Sequence, residues 1–171
     1  MNDPRISKAI ETLSVAISAD PAKARAKKAP ATARLAEGLK CELIGPHGER
    51  LVTDMPPAVG GTAAGPNPGW LLRGAIASCT ATVIAMRAAK LGIALSNLEV
   101  TVDTDADLRG LLGLDEKISA GHQAVRMKVR ISAPGESADA VRELVAWAEA
   151  HSPVGCTIRN APQCCLEVEV V

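Results

Sequence analysis

Several residue types and patterns are scarce in this chain of 171 residues, beginning with aromatic side chains: there is no phenylalanine or tyrosine, and tryptophan occurs twice. Proteins that bind single-stranded nucleic acids stack the bases on aromatic rings, so that function is not expected. The formal net charge is zero, with 19 basic and 19 acidic residues, which argues against a polyanion such as DNA as the dominant partner. We therefore expect no nucleic-acid partner.

Long uninterrupted apolar segments are also missing. The longest apolar run, within residues 71–91, contains Arg73 and Arg87, and we interpret it as too short and too interrupted to span a bilayer. Residues 1–20 lack the apolar core of a signal peptide. The five cysteines are an odd number, so they do not imply a complete disulfide framework. Together these features predict a cytoplasmic protein in a reducing compartment, without a membrane partner.

Motifs for metals and cofactors are likewise scarce. The three histidines lack the spacing of a zinc site. Cys164 and Cys165 are adjacent on a predicted strand, so their side chains point to opposite faces and suit neither a metal pair nor a disulfide. No phosphate-binding loop, nucleophile elbow or dinucleotide fingerprint occurs. We therefore expect neither a metal nor a cofactor.

The most informative segment that is present is the apolar run after Asn67. Pro68 suits the first position of a helix and Gly92 suits a left-handed stop, so the pattern predicts a helix over residues 68–91. Cys79 lies deep in this helix. At helical spacing it shares a face with Leu72, Ala75, Val83 and Met86. Because small and apolar residues surround the helix on nearly all sides, we expect it to be buried at the centre of the fold.

Residue patterns predict further elements in the N-terminal part. An apolar stripe at helical spacing predicts a helix over residues 4–18, and the basic residues between Lys23 and Lys28 are interpreted as a solvated helical arm. Alternating residues around 39–43 and 50–53, joined by Gly45-Pro46-His47-Gly48, predict a hairpin.

The C-terminal part alternates strands and helices. Strands are predicted around 98–102 and 125–131, and we expect them to pair because one has an acidic outer face and the other a basic one. The leucine-rich segment between them is too apolar for a free loop. Ser137 is expected to cap a helix, and residues 166–170 are expected to form a terminal strand. Strands grouped around one apolar helix indicate the α+β class.

The loop Gly65-Pro66-Asn67-Pro68, the helix LLRGAIASCTATVIAMRAAKLGI, the strand pair and the later helix ending His151-Ser152-Pro153-Val154 resemble the OsmC/Ohr family over roughly residues 32–171. Residues 1–30 are then an added N-terminal helical arm, and residues 31–171 form an OsmC-like domain. The resemblance implies an intertwined homodimer, in which antiparallel sheets from both chains wrap two long central helices. The best-known members are thiol peroxidases that reduce organic hydroperoxides at the dimer interface.

The resemblance also implies roles for individual residues. Cys79 corresponds to the thiol that attacks the peroxide, whereas Ser152 stands where the family has its resolving cysteine. Gly69 and Trp70 occupy the place of the family glutamate that pairs with the catalytic arginine. The cation nearest to that arginine is Lys40, with Arg34 and Arg50 as alternatives.

Cys156 is the other thiol of interest. It should lie in the first turn of a helix capped by Ser152, one turn or about 5.4 Å beyond the resolving position. It is either a resolving thiol, which requires that helix to shift, or an unpaired one.

Two functions stay open for the whole chain. The first is a thiol peroxidase in which Cys79 attacks an organic hydroperoxide and Cys156 or an external thiol resolves the product. Attack on a peroxide requires a thiolate, and Cys79 lies about three turns from the helix start, so a partner from elsewhere in the fold must activate it. The second is a dimer that binds a small hydrophobic molecule around Cys79 and Trp70, with Cys79 as a structural cysteine.

Overall fold

The computed structural model describes residues 3–171 of the chain. Two compact units are recognised: Glu11–Ala75 form the N-terminal unit, and Ile76–Val171, with the start of the chain up to Ile10, form the C-terminal unit. The described residues contain five α-helices and five strands in two antiparallel sheets. This mixture, with the long apolar helix between the two sheets in the chain, is the α+β class that the sequence predicts.

The chain begins with helix α1 (Pro4–Ala19), as predicted. A 3-10 turn (Pro21–Ala24) follows, in which the Asp20 side chain accepts a hydrogen bond from the backbone N–H of Ala22 at 3.2 Å. The expected helical arm over Lys23–Lys28 is wrong, because residues 25–31 form no helix. This segment has no apolar stripe to pack against the protein, and short isolated helices are marginal in water.

The N-terminal unit contains a three-stranded antiparallel sheet of β1 (Thr32–Leu35), β2 (Cys41–Ile44) and β3 (Arg50–Thr53), in that order. The pairing of β2 with β3 confirms the predicted hairpin. The register places an apolar set on one face of the sheet. Its main members are Leu35, Cys41, Leu43 and Leu51.

Helix α2 (Pro68–Leu91) has the predicted ends. Gly92 follows it with φ of 73°, and the N–H of Ile93 returns to the carbonyl of Ala88 at 2.9 Å, which closes the helix. Its burial differs from the expectation. Within the chain the buried stripe is Ile76, Thr80, Ile84, Ala88 and Ala89, whereas Leu72 and Met86 are exposed.

The length of α2 corrects one further expectation. With 24 residues it is long and apolar enough, by length and composition alone, to cross a membrane, so the run is not too short for that. Core helices of soluble proteins satisfy the same criteria, and Ile84 and Ala88 of α2 belong to the main hydrophobic core.

The C-terminal unit contains a two-stranded sheet of β4 (Asn97–Asp105) and β5 (Ala124–Ser132). Their antiparallel register places Glu99 opposite Arg130 and Asp103 opposite Arg126, which confirms the pairing predicted from charge. A short helix α3 (Leu108–Leu111) lies in the connection. The segment that the sequence analysis considers too apolar for a free loop thus contains a short helix, but its leucines are more than half exposed.

Helices α4 (Ala138–His151) and α5 (Pro153–Arg159) complete the unit. Ser137 caps α4 as predicted, since its hydroxyl accepts the N–H of Ala140 at 3.1 Å. Leu144 and Ala148 of α4 join residues of α2 and of the segments that flank the strands in one core. Its buried members are Ile84, Ala88, Ile93, Leu95, Ala133, Leu144 and Ala148.

The C-terminal segment corrects the last structural expectation. Residues 161–171 form no strand, and Leu166, Val168 and Val170 are between 72% and 91% exposed. A strand forms only when its backbone N–H and C=O groups find a neighbour, and none of the described residues provides one here.

Candidate functional site

Cys79, the principal candidate, contacts the residue predicted to replace the resolving cysteine. The hydroxyl of Ser152 donates a hydrogen bond to the Cys79 Sγ at 3.3 Å. Ser152 is 1% exposed and also caps α5, because its Oγ accepts the N–H of Gly155 at 3.4 Å. The cap therefore fixes the hydroxyl beside the sulfur of α2.

The polarity of this contact matters for the chemistry of Cys79. The hydroxyl is neutral, so it orients the sulfur without providing the positive charge that favours a thiolate. Cys79 is itself only half-buried. The contact joins the two positions that the family resemblance assigns to the attacking and the resolving thiol.

Cys156 has different surroundings. Its thiol donates to the carbonyl of Ala150 at 3.1 Å, and its sulfur accepts a hydrogen bond from Arg159 Nη2 at 3.3 Å. The same Nη2 donates to the carbonyl of Glu149 at 2.9 Å, and Arg159 Nη1 forms an ion pair with the Glu149 carboxylate. All five cysteines are free, so Cys79 and Cys156 are not bonded to each other.

Arg159 and Glu149 also line an open cavity of about 400 Å³ in the C-terminal unit. Most of its wall is apolar and comes from β5, α4 and α5. The lining residues are Ile76, Val125, Met127, Val129, Val145, Glu149, Gly155, Ile158 and Arg159. The cavity suits an apolar group, with one ion pair at its wall.

The sequence analysis did not identify Arg159 or Glu149. They are ten residues apart in different helices, and only the sharp break at Ser152 and Pro153 brings them together. A glutamate near the end of one helix and an arginine at the end of the next were the available signal.

Lys40, the predicted activating cation, lies just before β2 in the N-terminal unit. Its N–H donates to the carbonyl of Glu37 at 3.0 Å, and its carbonyl accepts from Ala36 at 2.9 Å. The alternatives also lie in this sheet, with Arg34 opposite Glu42 and Arg50 opposite Ile44. Cys79 belongs to the other unit, so neither unit by itself contains both the thiol and these cations.

A buried carboxylate that the sequence analysis missed organises the loop before α2. Asp54 is 3% exposed and accepts hydrogen bonds from the Thr62 hydroxyl at 2.7 Å and from the N–H groups of Met55, Thr62 and Ala64. The hydroxyl and backbone donors hold the pKa of Asp54 far below its ordinary value.

Trp70 lies close to this loop in the same unit. It is 53% exposed and helps to line a cavity of about 310 Å³ with Asp54, Met55 and Pro66. Cys79 is absent from the lining of that cavity, so the loop and Trp70 form it without the thiol. Across residues 3–171, no three histidine, cysteine or acidic side chains converge in a way that could hold a metal ion.

Comparison with known proteins identifies similar chains. A model of the OsmC-like protein family matches residues 60–167. No curated protein matches the chain. Among solved structures, the chain is similar to an OsmC-like protein from Mycoplasma pneumoniae, with 20% identity and a TM-score of 0.69 over 80% of this chain and 91% of that one.

Two structures of named resistance proteins are also similar. The organic hydroperoxide resistance protein OsmC from Legionella pneumophila is 21% identical, with a TM-score of 0.57 over 78% of this chain and 92% of that one. The organic hydroperoxide resistance protein OhrB of Bacillus subtilis is 20% identical, with a TM-score of 0.52 over 79% of this chain and 93% of that one. At these identities the structures show a shared fold.

Proposed function

The chain belongs to the OsmC-like protein family, and from that premise we propose that it is a thiol peroxidase that reduces organic hydroperoxides, with Cys79 as the attacking thiol. The observation that carries the proposal is the 3.3 Å contact between Cys79 Sγ and Ser152 Oγ. It brings the α2 cysteine next to Ser152, the N-cap residue of α5, whose position the family resemblance assigns to resolution. The names of the Legionella and Bacillus relatives support the substrate class.

The proposed reaction has three steps. The Cys79 thiolate attacks the distal oxygen of the hydroperoxide, the O–O bond breaks, and the alcohol leaves after taking a proton. The sulfur becomes a sulfenic acid, which Ser152 cannot reduce because a hydroxyl forms no disulfide. An external thiol then attacks the sulfenic sulfur and releases water, and a second thiol completes the reduction. We assign the attack on the sulfenic sulfur to an external thiol, because the hydrogen bonds of the Cys156 sulfur are to Ala150 and Arg159 and not to Cys79.

Activation and assembly are part of the same proposal. Lys40 is the proposed cation for Cys79, and the proposed homodimer is the means of bringing the two together. Support for the homodimer comes from apolar residues that the chain leaves exposed on α2 and in the C-terminal segment. They include Leu72, Met86, Leu166, Val168 and Val170. We expect an apolar interface above about 2,000 Å². A cytoplasmic location stays a proposal.

The test restores the missing thiol. In Ser152→Cys, a sulfur replaces the hydroxyl beside Cys79, so cumene hydroperoxide should convert the pair to an intramolecular disulfide. In the unmodified protein the same treatment should leave a sulfenic acid on Cys79 that dimedone traps. Peptide mass spectrometry distinguishes the two products.

The control is Cys79→Ser, which should lose the dimedone adduct at position 79 and the thiol-dependent consumption of hydroperoxide. Cumene hydroperoxide should also oxidise Cys79 faster than hydrogen peroxide does, because Val83, one turn from Cys79 on the same face of α2, favours an apolar peroxide. An unmodified Cys79 in folded protein, under conditions that oxidise the exposed Cys165, contradicts the peroxidase.

The second candidate function is binding of a small hydrophobic molecule without catalysis. The cavity of about 400 Å³ favours it, although this cavity is lined by neither Cys79 nor Trp70, the residues around which the sequence analysis expects the ligand. If binding is the function, Cys79→Ser should retain the affinity for the fluorescent probe anilinonaphthalene sulfonate. Met127→Glu, which places a charge in the cavity wall, should abolish it. Loss of hydroperoxide consumption in Cys79→Ser separates the peroxidase from this alternative.

A further inference from the structure

Positive charge is concentrated in one part of this chain, although the chain as a whole is neutral. The basic segment, residues 21–36, contains five of the 19 basic residues and none of the 19 acidic ones. Every residue from 21 to 31 is exposed, and residues 25–31 form neither a helix nor a strand. The cations of this stretch are therefore presented to solvent on an irregular backbone.

The carboxylates of the chain neutralise little of this charge by direct contact. Lys23 lies 3.9 Å from Asp20, in an exposed pair at the start of the segment. Arg25, Lys27 and Lys28 form no ion pair within residues 3–171. These three side chains give the segment a positive surface that is free to meet an anionic partner.

The helix that precedes the basic segment is amphipathic. Helix α1 places Ile6, Ile10, Leu13 and Ile17 at helical spacing, and this set is the apolar stripe. None of the 16 residues of α1 is buried, and Leu13 is 59% exposed. The chain therefore covers the apolar stripe only in part.

An anionic membrane surface binds this combination of features. An amphipathic helix lies in the plane of the membrane with its apolar face at the boundary between head groups and acyl chains. Each exposed lysine or arginine beside it raises the affinity for anionic head groups about fivefold. The expectation of no membrane partner was based on the lack of a spanning segment, and a helix in the plane of the surface needs none.

We propose that α1 and the basic segment form a docking surface for membranes that contain anionic phospholipids. Leu13 enters the boundary between head groups and acyl chains, and Arg25, Lys27 and Lys28 contact the lipid phosphates. A lipid surface accounts for the apolar stripe as well as for the cations. A single-stranded nucleic acid would instead require aromatic rings for base stacking, and the chain has only two. This surface goes beyond the proposed peroxidase and does not involve Cys79.

The test is co-sedimentation of the full-length protein with sucrose-loaded vesicles. One set consists of phosphatidylcholine alone, and the other contains equal parts of phosphatidylcholine and phosphatidylglycerol. The protein should sediment with the anionic vesicles at low salt and remain in solution with the neutral ones. Added salt should release it, because salt screens exposed charges.

Substitutions of lysine assign the binding to the basic segment. Lys27→Gln combined with Lys28→Gln should weaken binding to the anionic vesicles about twentyfold or more, because two cations are lost. The matched control combines Lys90→Gln with Lys117→Gln, two exposed lysines of the C-terminal unit. It changes the net charge by the same amount and should leave binding unchanged.

A second pair of variants tests the apolar stripe. Leu13→Ser should weaken binding to the anionic vesicles about tenfold, since a leucine no longer enters the apolar boundary. Val15→Ser is the matched control, because Val15 is 64% exposed but lies on the opposite face of α1. It should have little effect.

Four results overturn the proposal. The unaltered protein could fail to bind anionic vesicles at low salt, or the two lysine pairs could weaken binding equally. The protein could bind RNA at the same phosphate concentration but not the vesicles, which would make the segment a nucleic-acid site. Leu13→Ser could alter sedimentation of the protein without lipid and leave vesicle binding unchanged, which would place the stripe in a subunit interface. Cys79→Ser should bind vesicles normally, and this separates the docking surface from the peroxidase.

Discussion

The two units of the chain bury different kinds of residue. Every buried apolar side chain of the described residues lies in the C-terminal unit, including Ile76, Ile84 and Leu144. The N-terminal unit buries only Thr53 and Asp54, both polar, in the part of the chain from residue 11 to 75. One unit is therefore stabilised by an apolar core. The other is organised by hydrogen bonds around a carboxylate, while the apolar face of its sheet stays partly exposed.

The N-terminal unit is the part of the chain that needs a partner surface. Apolar burial is the dominant favourable term in folding, so a unit without a core of its own needs an apolar surface from outside. The sheet face with Leu35 and Leu51, which are 69% and 42% exposed, is the part of the N-terminal unit that such a surface should cover. A second copy of the chain is the occupant that we propose.

The largest expected change in stability comes from a substitution in the core of the C-terminal unit. Leu144 is 2% exposed, so Leu144→Ala should lower the free energy of unfolding by about 2–5 kcal/mol. The matched control is Leu114→Ala, a leucine that is 70% exposed, for which we expect a change within about 0.5 kcal/mol. Chemical denaturation measures both. Equal effects of the two substitutions would show that the core does not lie where the structure has it.

The next effect concerns the apolar face of the N-terminal sheet. If a second copy covers Leu51, Leu51→Glu should weaken the dimer about tenfold to a hundredfold, the range expected from losing the burial of one leucine. Val52→Glu is the matched control, because the neighbouring residue of β3 points to the opposite face. Sedimentation velocity over a concentration series measures both.

The same sedimentation experiment also tests whether the protein is a homodimer at all. A stable, folded monomer of the unaltered protein at micromolar concentration contradicts it. If Leu51→Glu and Val52→Glu weaken the dimer equally, the homodimer stands, but the sheet face that carries Leu51 is not its interface.

A smaller change in stability is expected when the buried carboxylate of Asp54 is replaced. The pKa of folded Asp54 is well below its ordinary value, while in the unfolded chain it is about 3.9. A carboxylate with a lowered pKa stabilises the fold above the unfolded pKa, and this contribution is lost as the pH falls. The difference in unfolding free energy between the unaltered protein and Asp54→Asn should therefore be largest near pH 7 and shrink below about pH 4.

Denaturation curves at several pH values measure this difference. The control is Asp20→Asn, which removes an exposed carboxylate that caps a single turn. At pH 7 it should lower the free energy of unfolding by less than Asp54→Asn does. A difference that stays constant with pH for Asp54→Asn contradicts the role of its charge.

The sequence predicts those elements whose signals are local. Pro68 and Gly92 mark both ends of α2, and Ser137 marks the start of α4, because caps depend on residues within a few positions. The pairing of β4 with β5 was predictable from charge, since Glu99 and Arg130 lie on matching faces. The contact of Ser152 with Cys79 adds to what the resemblance implied, because it joins residues 73 positions apart.

The features that the sequence did not predict depend on tertiary neighbours. Asp54 is an ordinary acidic residue until the loop places Thr62 and Ala64 around it. Arg159 reaches Cys156 only because α5 turns back on α4. The predicted strand at residues 166–170 does not form, because alternating residues do not by themselves provide a neighbouring strand.

The smallest expected effect lies on the charged outer face of the C-terminal sheet. Arg126 forms ion pairs with Asp105 at 2.5 Å and with Asp103, and the hydrogen bond from Arg126 lowers the pKa of Asp105. These side chains are more than half exposed, so solvent and salt screen them, and Arg126→Gln should change stability little. It should instead raise the pKa of Asp105 towards its ordinary value. An NMR titration of the side-chain carboxyl carbon measures this shift, and Arg130→Gln, opposite Glu99, should leave it unchanged. If Arg126→Gln destabilises the protein as much as Leu144→Ala does, then charge rather than apolar burial holds the C-terminal unit together, and the contrast between the units fails.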